Sequence, residues 1–540
     1  MSSRTQQTSI AAAACLALIG CTSVSMPGGP RDAGDWPSYN GSLSSQRFFA
    51  SAAIDRNNVA GLKPRCTYDL GLDTSFQTGP LVVGGTLYAT SEKETFAIDA
   101  ATCQPKWRMR EDVEDSYLKT NRGLAFLDGR VFRGLQDGRV LAYDAATGRK
   151  LWEARIADAK RGESVPAAPI AWNGMVFIGQ AGSDNYAVKG RMYALDAATG
   201  RQLWQTNLVP REEERANPGS EMARMAVGTW GNPASVPIGG GATWTSYSLD
   251  AERGLLYVPT GNPAPDFVIS MRPGTNLFTN SVVVLDAKTG AYSRHFSVVP
   301  HDFHDWDVSA APALVTTRGG KRLMAVTPKD GHLYGYDLAS GSQMYATPIT
   351  TIENDKAPLT AAGTHFCPGS QGGSEWNGPS YSSQTNLIYT GSVDWCATVQ
   401  IAPPDKVAAT APGQSWAGTP TGDFGKFDPK ERWNGWVTAT DADSGAVRWR
   451  FRTPAPVLAA VTSTAGGVVF AADMGSNAYA FDANDGTVLW RARLEGAAGG
   501  GVITYMVGGQ QYVAFVAGTN SPIWPVDKKT AKIVVYGLAP

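Results

Sequence analysis

The sequence predicts an all-β fold, an eight-bladed β-propeller of four-stranded antiparallel blades. Three observations point to it. The string AYDAATGRKLW at 142–152 returns almost unchanged as ALDAATGRQLW at 194–204, and five looser copies stand at 97–107, 284–294, 335–345, 439–449 and 480–490. The Asp of each copy falls at 99, 144, 196, 286, 337, 441 and 482, and most steps are 41–52 residues, the size of one four-stranded blade. The chain is also rich in residues of short strands and turns, with 60 Gly and 16 Trp among 540 residues.

Ahead of the propeller, residues 1–20 read as a targeting segment. Arg4 supplies a small positive region, and the apolar run Ile10 to Ile19 is ten residues long. A bilayer needs about 20. The run ends in LIGC, which resembles the bacterial lipobox, with Cys21 as the lipidated first residue of the mature chain. A plain secretory signal cut elsewhere is the alternative. Residues 21–34 are rich in Pro, Gly and Ser and read as a flexible tether. That leaves 35–540 as propeller, with no later run of 18 uninterrupted apolar residues. The expected location is the periplasm, lipid-anchored to a bacterial membrane, the outer membrane by preference.

Within each repeat the physics is strand, turn, strand. Apolar residues finish one strand, the Asp side chain caps the turn, and Gly four residues later supplies a positive φ. An aromatic residue then sits on the next strand; five copies carry Trp there, eight residues after the Asp. It is expected to pack between neighbouring blades. In the first copy Cys103 replaces the Gly. That is odd for a left-handed position, and a disulfide to Cys66 would hold the turn instead. The two long steps, 90 and 104 residues, are expected to hold insertions within blades. After the last copy, 502–516 and 532–537 read as strands without the motif. Pairing them with N-terminal strand material closes an eighth blade and removes free sheet edges.

Hydrophobic residues are 43% and charged residues 18%, the balance of a globular chain. A net charge of -1 argues against a nucleic-acid partner. Cys66, Cys103, Cys367 and Cys396 remain beyond the signal region. An even number in an exported chain suggests disulfides, and chain proximity favours Cys66–Cys103 and Cys367–Cys396. Free buried thiols are the alternative. None lies in a C-x-x-C-H string, so the chain carries no c-type haem of its own.

HDFHDWD at 301–307 is the densest polar cluster. In an extended chain Asp305 and Asp307 share one side, which suits a hard cation with one carboxylate doubling as a base. A polar surface loop, or His301 and His304 as zinc ligands, are the alternatives. In TGNPAP (260–265), Pro263 biases Asn262 toward an extended backbone, and the prolines stiffen the stretch so that an amide oxygen can be held toward a metal. Trp244 follows a run of glycines and can present its face to a flat ring.

The D-x-x-[TS]-G-x-x-x-W turn resembles the tryptophan-docking motif of the eight-bladed quinoprotein alcohol dehydrogenases, which use pyrroloquinoline quinone (PQQ). The openings DWPSYNGSLSSQRF and NVAGLKPRCTY resemble that family's start, and the resemblance covers about residues 35 to 540. It implies a role for each candidate. Asp305 is the catalytic base, although His304 stands where the family has Trp. Asn262 is a metal ligand, Trp244 the floor beneath PQQ, and Lys329 in TPKDGHLY the cation near the reactive quinone oxygens. Arg122 in NRG pairs with a PQQ carboxylate. The family's metal-binding glutamate falls at Asp184, or at Asn185 with a one-residue shift; Asp184 is preferred. Asp307, two residues past the base, resembles the lanthanide-using members, and some calcium users carry it too. Cys367 and Cys396 match the spacing of a family disulfide.

There are departures from the pattern. Gln77 and Glu375 replace a glutamate and an asparagine at cofactor-contacting places, Pro166 replaces a threonine, and Ser116 and Tyr117 replace a vicinal cysteine pair. The implied activity is oxidation of an alcohol to an aldehyde or ketone. Hydride goes to PQQ, with Ca²⁺ (or a lanthanide) as Lewis acid. Electrons then leave to an external acceptor such as cytochrome c or a quinone. The competing expectation is a non-catalytic propeller lipoprotein serving as a scaffold in outer-membrane protein assembly.

Overall fold

In the computed structural model of the chain, Met1, residues 34–113 and residues 119–539 are described. The targeting segment beyond Met1, Cys21 and the tether up to residue 33, Ser116 and Tyr117 lie outside them. Residues Asp32–Pro540 form one compact unit. No helix among the described residues is long and apolar enough to cross a membrane.

Eight sheets succeed one another along this unit, each with four antiparallel strands, and the seventh also takes Phe48–Phe49 as a fifth strand in parallel. Blade 1 is Leu81–Val83, Thr86–Thr90, Glu94–Asp99 and Pro105–Arg110. Blades 2 to 7 repeat that order. Blade 8 takes three strands from the C-terminal end, Val502–Val507, Gln510–Ala517 and Lys532–Gly537, and its outermost strand, Lys63–Asp69, from the N-terminal side. This closure is the one the sequence predicts. First strands of neighbouring blades touch around the axis, as in blades 4 and 5 or 7 and 8. The core is therefore a series of interblade layers.

The repeated turn is what joins blade to blade. Each motif Asp ends the third strand and caps the hairpin: Asp196 Oδ1 accepts from Thr199 N at 2.9 Å and Thr199 Oγ1 at 2.8 Å. The aromatic then reaches the next blade's turn. Trp107 Nε1 donates to Ala145 O at 2.9 Å, Trp152 to Ala197 O at 3.0 Å, Trp204 to Ala287 O at 3.1 Å and Trp449 to Ala483 O at 3.1 Å. Its ring lies on the turn glycine, so that a Cβ on Gly200 would come within 2.6 Å of Trp152. The glycine therefore has two causes, a φ of 75° and the indole above it.

Where the aromatic is missing, other chemistry fills its place. Blade 4 has Arg294, whose guanidinium donates to Leu338 O in the next turn at 2.8 Å. At the seam between blades 8 and 1, Tyr505 Oη donates to Ala100 O at 2.6 Å, and the Cys66–Cys103 disulfide ties the outer strand to the turn. Cys103 has a φ of 59°, so the turn keeps its left-handed residue without glycine. Cys367–Cys396 is also formed.

The structure corrects the reading of the long steps. Each holds two excursions, of which only one lies within a blade. Between 196 and 286, one runs between blades 3 and 4 (208–247) and the other within blade 4 (260–280). Between 337 and 441, one links blades 5 and 6 (349–379) and the other lies within blade 6 (395–433). Turn spacing alone cannot tell which connection grew. A further feature is the segment before blade 8's outer strand. It bonds to the first strands of five blades, through Trp36 to Val82, Leu43 to Leu249, Ser44 to Leu314, Gln46 to Tyr381 and Arg47 to Ser463. These contacts cover the inner edges that a ring of sheets leaves at its axis.

Candidate active site

In an antiparallel blade, the first-to-second and third-to-fourth turns lie at one end. The second-to-third turns and the links between blades lie at the other. Every candidate site residue falls on the second set. Gln77, Arg122, Trp244, Asp305, Asp307 and Glu375 are on interblade links, and Asp184, Asn262 and Lys329 on second-to-third connections. The fold thus delivers to one face residues up to about 300 positions apart in sequence.

Lys329 is the hub. Its buried Nζ lies 2.8 Å from Asp307 Oδ2 and 3.2 Å from Asp305 Oδ2. It also stands 5.5 Å from the Trp244 ring centroid. Arg122 lies on the same indole, its guanidinium carbon 4.5 Å from the Trp244 centroid and 5.0 Å from that of Trp376. Its NH1 donates to Trp244 O at 3.2 Å. Asp307 Oδ1 accepts from Asn262 N at 2.8 Å. The glycine of T-G-N-P allows this approach, because a Cβ on Gly261 would come within 2.6 Å of that oxygen.

Asp305 is held in place by its neighbours. Asp302 accepts from His304 N at 2.9 Å and Trp306 N at 3.1 Å, and Trp306 Nε1 donates to Gly369 O at 3.2 Å. His304 stacks on Trp306 with centroids 4.0 Å apart. Arg272 braces the turn from behind, donating to the Asp302, Asp266 and Pro265 carbonyls. The turn sets Asp305 at a φ of 63°, left-handed backbone that a non-glycine residue keeps only where its surroundings enforce it. Burial takes the His304 pKa down to about 3, and no metal-compatible group among the described residues includes His301 or His304. Zinc ligation by these two histidines therefore has no geometric support.

The acidic groups converge. Single carboxylate oxygens of Asp184, Asp266 and Asp305 lie within 4.8 Å of one another. Asp266 was not a sequence candidate, since one Asp after N-P-A-P carries no signature by itself. It is fully buried, and Asn262 Nδ2 donates to its Oδ1 at 2.8 Å. Asn185, the shifted alternative to Asp184, instead donates its amide to Gly162 O at 2.9 Å. Three buried oxygens here have no hydrogen-bond partner among the described residues: Asn262 Oδ1, Asp266 Oδ2 and Asp305 Oδ1. Leaving a buried polar atom unsatisfied costs about 1–3 kcal/mol each, more where it is charged. A hard cation is what such an all-oxygen set fits.

Electrostatics say the same. Burial raises the Asp305 pKa well above the carboxylate range; Lys329 opposes this, while Asp307, Asp184 and Asp266 add to it. Burial and then Asp184 do likewise for Asp266, and burial and then Asp307 for Asp184. Burial works against the Lys329 charge, but Asp305, Asp307 and Glu375 outweigh it and hold the ammonium protonated. Glu375 is buried with Oε1 unpartnered, and burial pushes its pKa up to about 7 against Lys329 and Arg122. Gln77 is differently placed, its amide bonding Ser75 and its oxygen Thr120, both at 2.9 Å. A cavity of about 700 Å³, lined by Trp433, Met474, Arg493 and Lys529 among others, includes none of these residues. The site side chains pack on one another.

Comparisons with known proteins bear on the fold and the family. The family model for the "Glucose/ethanol/alcohol dehydrogenase, beta-propeller domain" matches residues 36–358. A second, for "Outer membrane protein assembly factor BamB", matches only 433–534. The chain is 30% identical to quinohemoprotein alcohol dehydrogenase ADH-IIG of Pseudomonas putida over 528 residues, covering 90% of this chain and 73% of that one. It is 28% identical to the quinoprotein alcohol dehydrogenase PedH of a P. putida strain, covering 89% and 86%. The solved structure of ADHIIG from P. putida HK5 superimposes with a TM-score of 0.83 at 26% identity, over 94% of this chain and 80% of that one. With a family model spanning more than half of it and these relatives along most of its length, the chain belongs to the PQQ-dependent quinoprotein alcohol dehydrogenases, oxidoreductases that act on alcohols.

Proposed function

We propose that the protein oxidises an alcohol at the cluster around Lys329, with Asp305 as the base. Bound there, PQQ supplies the oxidising o-quinone and a cation supplies Lewis acidity. Asp184, Asn262 and Asp305 hold the cation through oxygen, with Asp307 oriented beside them by Asn262 N–H and Lys329. Asp305 accepts the alcohol hydroxyl proton. Lys329 faces Asp305 and keeps a fixed positive charge where oxyanion character develops. Arg122 offers its guanidinium to a carboxylate of the cofactor, and Trp244 offers a flat face.

The observation that carries this reading is the set of buried oxygens without partners at Asn262, Asp266 and Asp305. A scaffold in outer-membrane assembly, for which the match at 433–534 speaks, gives them no task. The periplasmic location, the lipid anchor at Cys21, and cytochrome c or a quinone as acceptor belong to the same proposal. They rest on the sequence.

The test is alcohol-dependent dye reduction by purified protein given PQQ and either Ca²⁺ or a light lanthanide, over a panel of alcohols. Turnover that needs both additions is expected. No turnover with any alcohol, despite bound PQQ, would remove the reading.

A further inference from the structure

We propose that Asp266 is a direct ligand of the bound cation, and that with it the site prefers a trivalent over a divalent ion. This rests on the reading of Asp184, Asn262 and Asp305 as the cation site, and adds a residue and a charge selectivity to it.

Asp266 is wholly removed from solvent. One of its oxygens is used by Asn262 Nδ2 at 2.8 Å, and the other has no partner. Among the described residues, no ion pair to a cationic side chain serves it. Arg272 spends its donors on three backbone carbonyls and on Asn276 Oδ1. A hard cation sits about 2.3–2.6 Å from each oxygen it binds, so ligand oxygens around one ion can stand up to about 5 Å apart. The Asp184, Asp266 and Asp305 oxygens, mutually within 4.8 Å, fall inside that limit. Independently of the carboxylates, Asn262 Oδ1 is buried and unpartnered on the very amide that binds Asp266. One ion would satisfy both residues.

The charge selectivity follows from the surroundings. Four carboxylates meet here, those of Asp184, Asp266, Asp305 and Asp307, and among the described residues Lys329 is the one ammonium paired with them. Arg272 behind them faces Asp302 first and Asp266 second, and the Asp302 carboxylate balances its charge. The excess is three negative charges, which a trivalent ion neutralises and a divalent ion does not. The attraction of each carboxylate grows with the charge of the ion it faces. Asp266 therefore adds more to trivalent than to divalent binding.

The experiment uses the full chain, stripped with a chelator, without PQQ or alcohol, and probed with Eu³⁺ and Ca²⁺. Europium luminescence lifetimes in H₂O and D₂O count the waters on the ion. Asp266→Ala is expected to add at least one water. Asp266→Asn is expected to lower the Eu³⁺-to-Ca²⁺ affinity ratio by about tenfold or more. Near-UV circular dichroism and thermal melting check that each variant is folded. An unchanged water count together with an unchanged ratio in folded variants would overturn the assignment.

The wild-type chain keeps the proposal testable should both variants misfold. Stoichiometric Eu³⁺ is expected to survive a large excess of Ca²⁺, and its displacement at similar concentrations would overturn the trivalent preference. Because no turnover is read, this result and the dehydrogenase reading can fail separately.

Discussion

Asp305 shows how one residue gains its chemistry from its setting. Its backbone is held left-handed by the Asp302 turn, one oxygen faces Lys329, and the other is free. Asp305→Asn keeps that shape and removes the basic oxygen. Turnover is expected to fall by about 10²–10⁴-fold while PQQ binding, read by absorbance, stays near wild type. Unchanged turnover would take Asp305 out of its role. Asn262, Asp305 and Lys329 were legible because each sits in a short string with neighbours of its own. Asp266, Asp302 and Arg272 were not. Their importance appears only when the 260–280 and 298–312 connections fold against each other, a contact that no spacing along the chain encodes.

The element that builds the molecule is the capped turn, whose two halves can be tested separately. At Gly200 an added methyl meets both a left-handed backbone and the Trp152 ring; at Gly341 it meets nothing within 4 Å. Gly341→Ala should lose about 1–2 kcal/mol, the cost of the backbone alone, and Gly200→Ala about 1–3 kcal/mol more, measured by denaturant unfolding. Equal losses would mean that the indole does not press on the turn.

The Asp has a pH signature. Thr199 hydroxyl and backbone hydrogen bonds hold the Asp196 carboxyl below its usual range. Such a group stabilises above the unfolded pKa of about 4, and its contribution fades as pH falls through the lower folded value. Asp196→Asn should therefore lower the melting temperature slightly at pH 7, and the gap to wild type should narrow as pH falls below about 4. A gap that does not narrow on acidification would contradict this. The turns were readable because Asp, Gly and Trp each have a local reason. The substitutes at Arg294 and at the Tyr505 and Cys66–Cys103 seam were harder to read. They perform the same joining task with unrelated residue types.

At the scale of the whole molecule, eight sheets closed by both termini act as a frame whose one face collects the interblade links and second-to-third turns. Blade number and closure were legible, since they follow from a period and from leftover strands. The path of the Trp36–Phe49 segment across the inner strands was not. It is held by backbone hydrogen bonds to five blades, and backbone bonding leaves little trace in side-chain pattern. The division of each long step into an interblade and an intrablade part was equally hidden.

On the proposed reading, this face gathers Arg122, Trp244, Asn262, Asp305 and Lys329 into one seat for a planar quinone on a cation. The direct measurement is a titration of cation-loaded protein with PQQ, followed by tryptophan fluorescence, in wild type and in Trp244→Ala. Saturation at one PQQ per chain, weakened by about tenfold or more in the variant, is the predicted result. Absence of saturable binding in the wild type, or identical binding in the variant, would contradict the account.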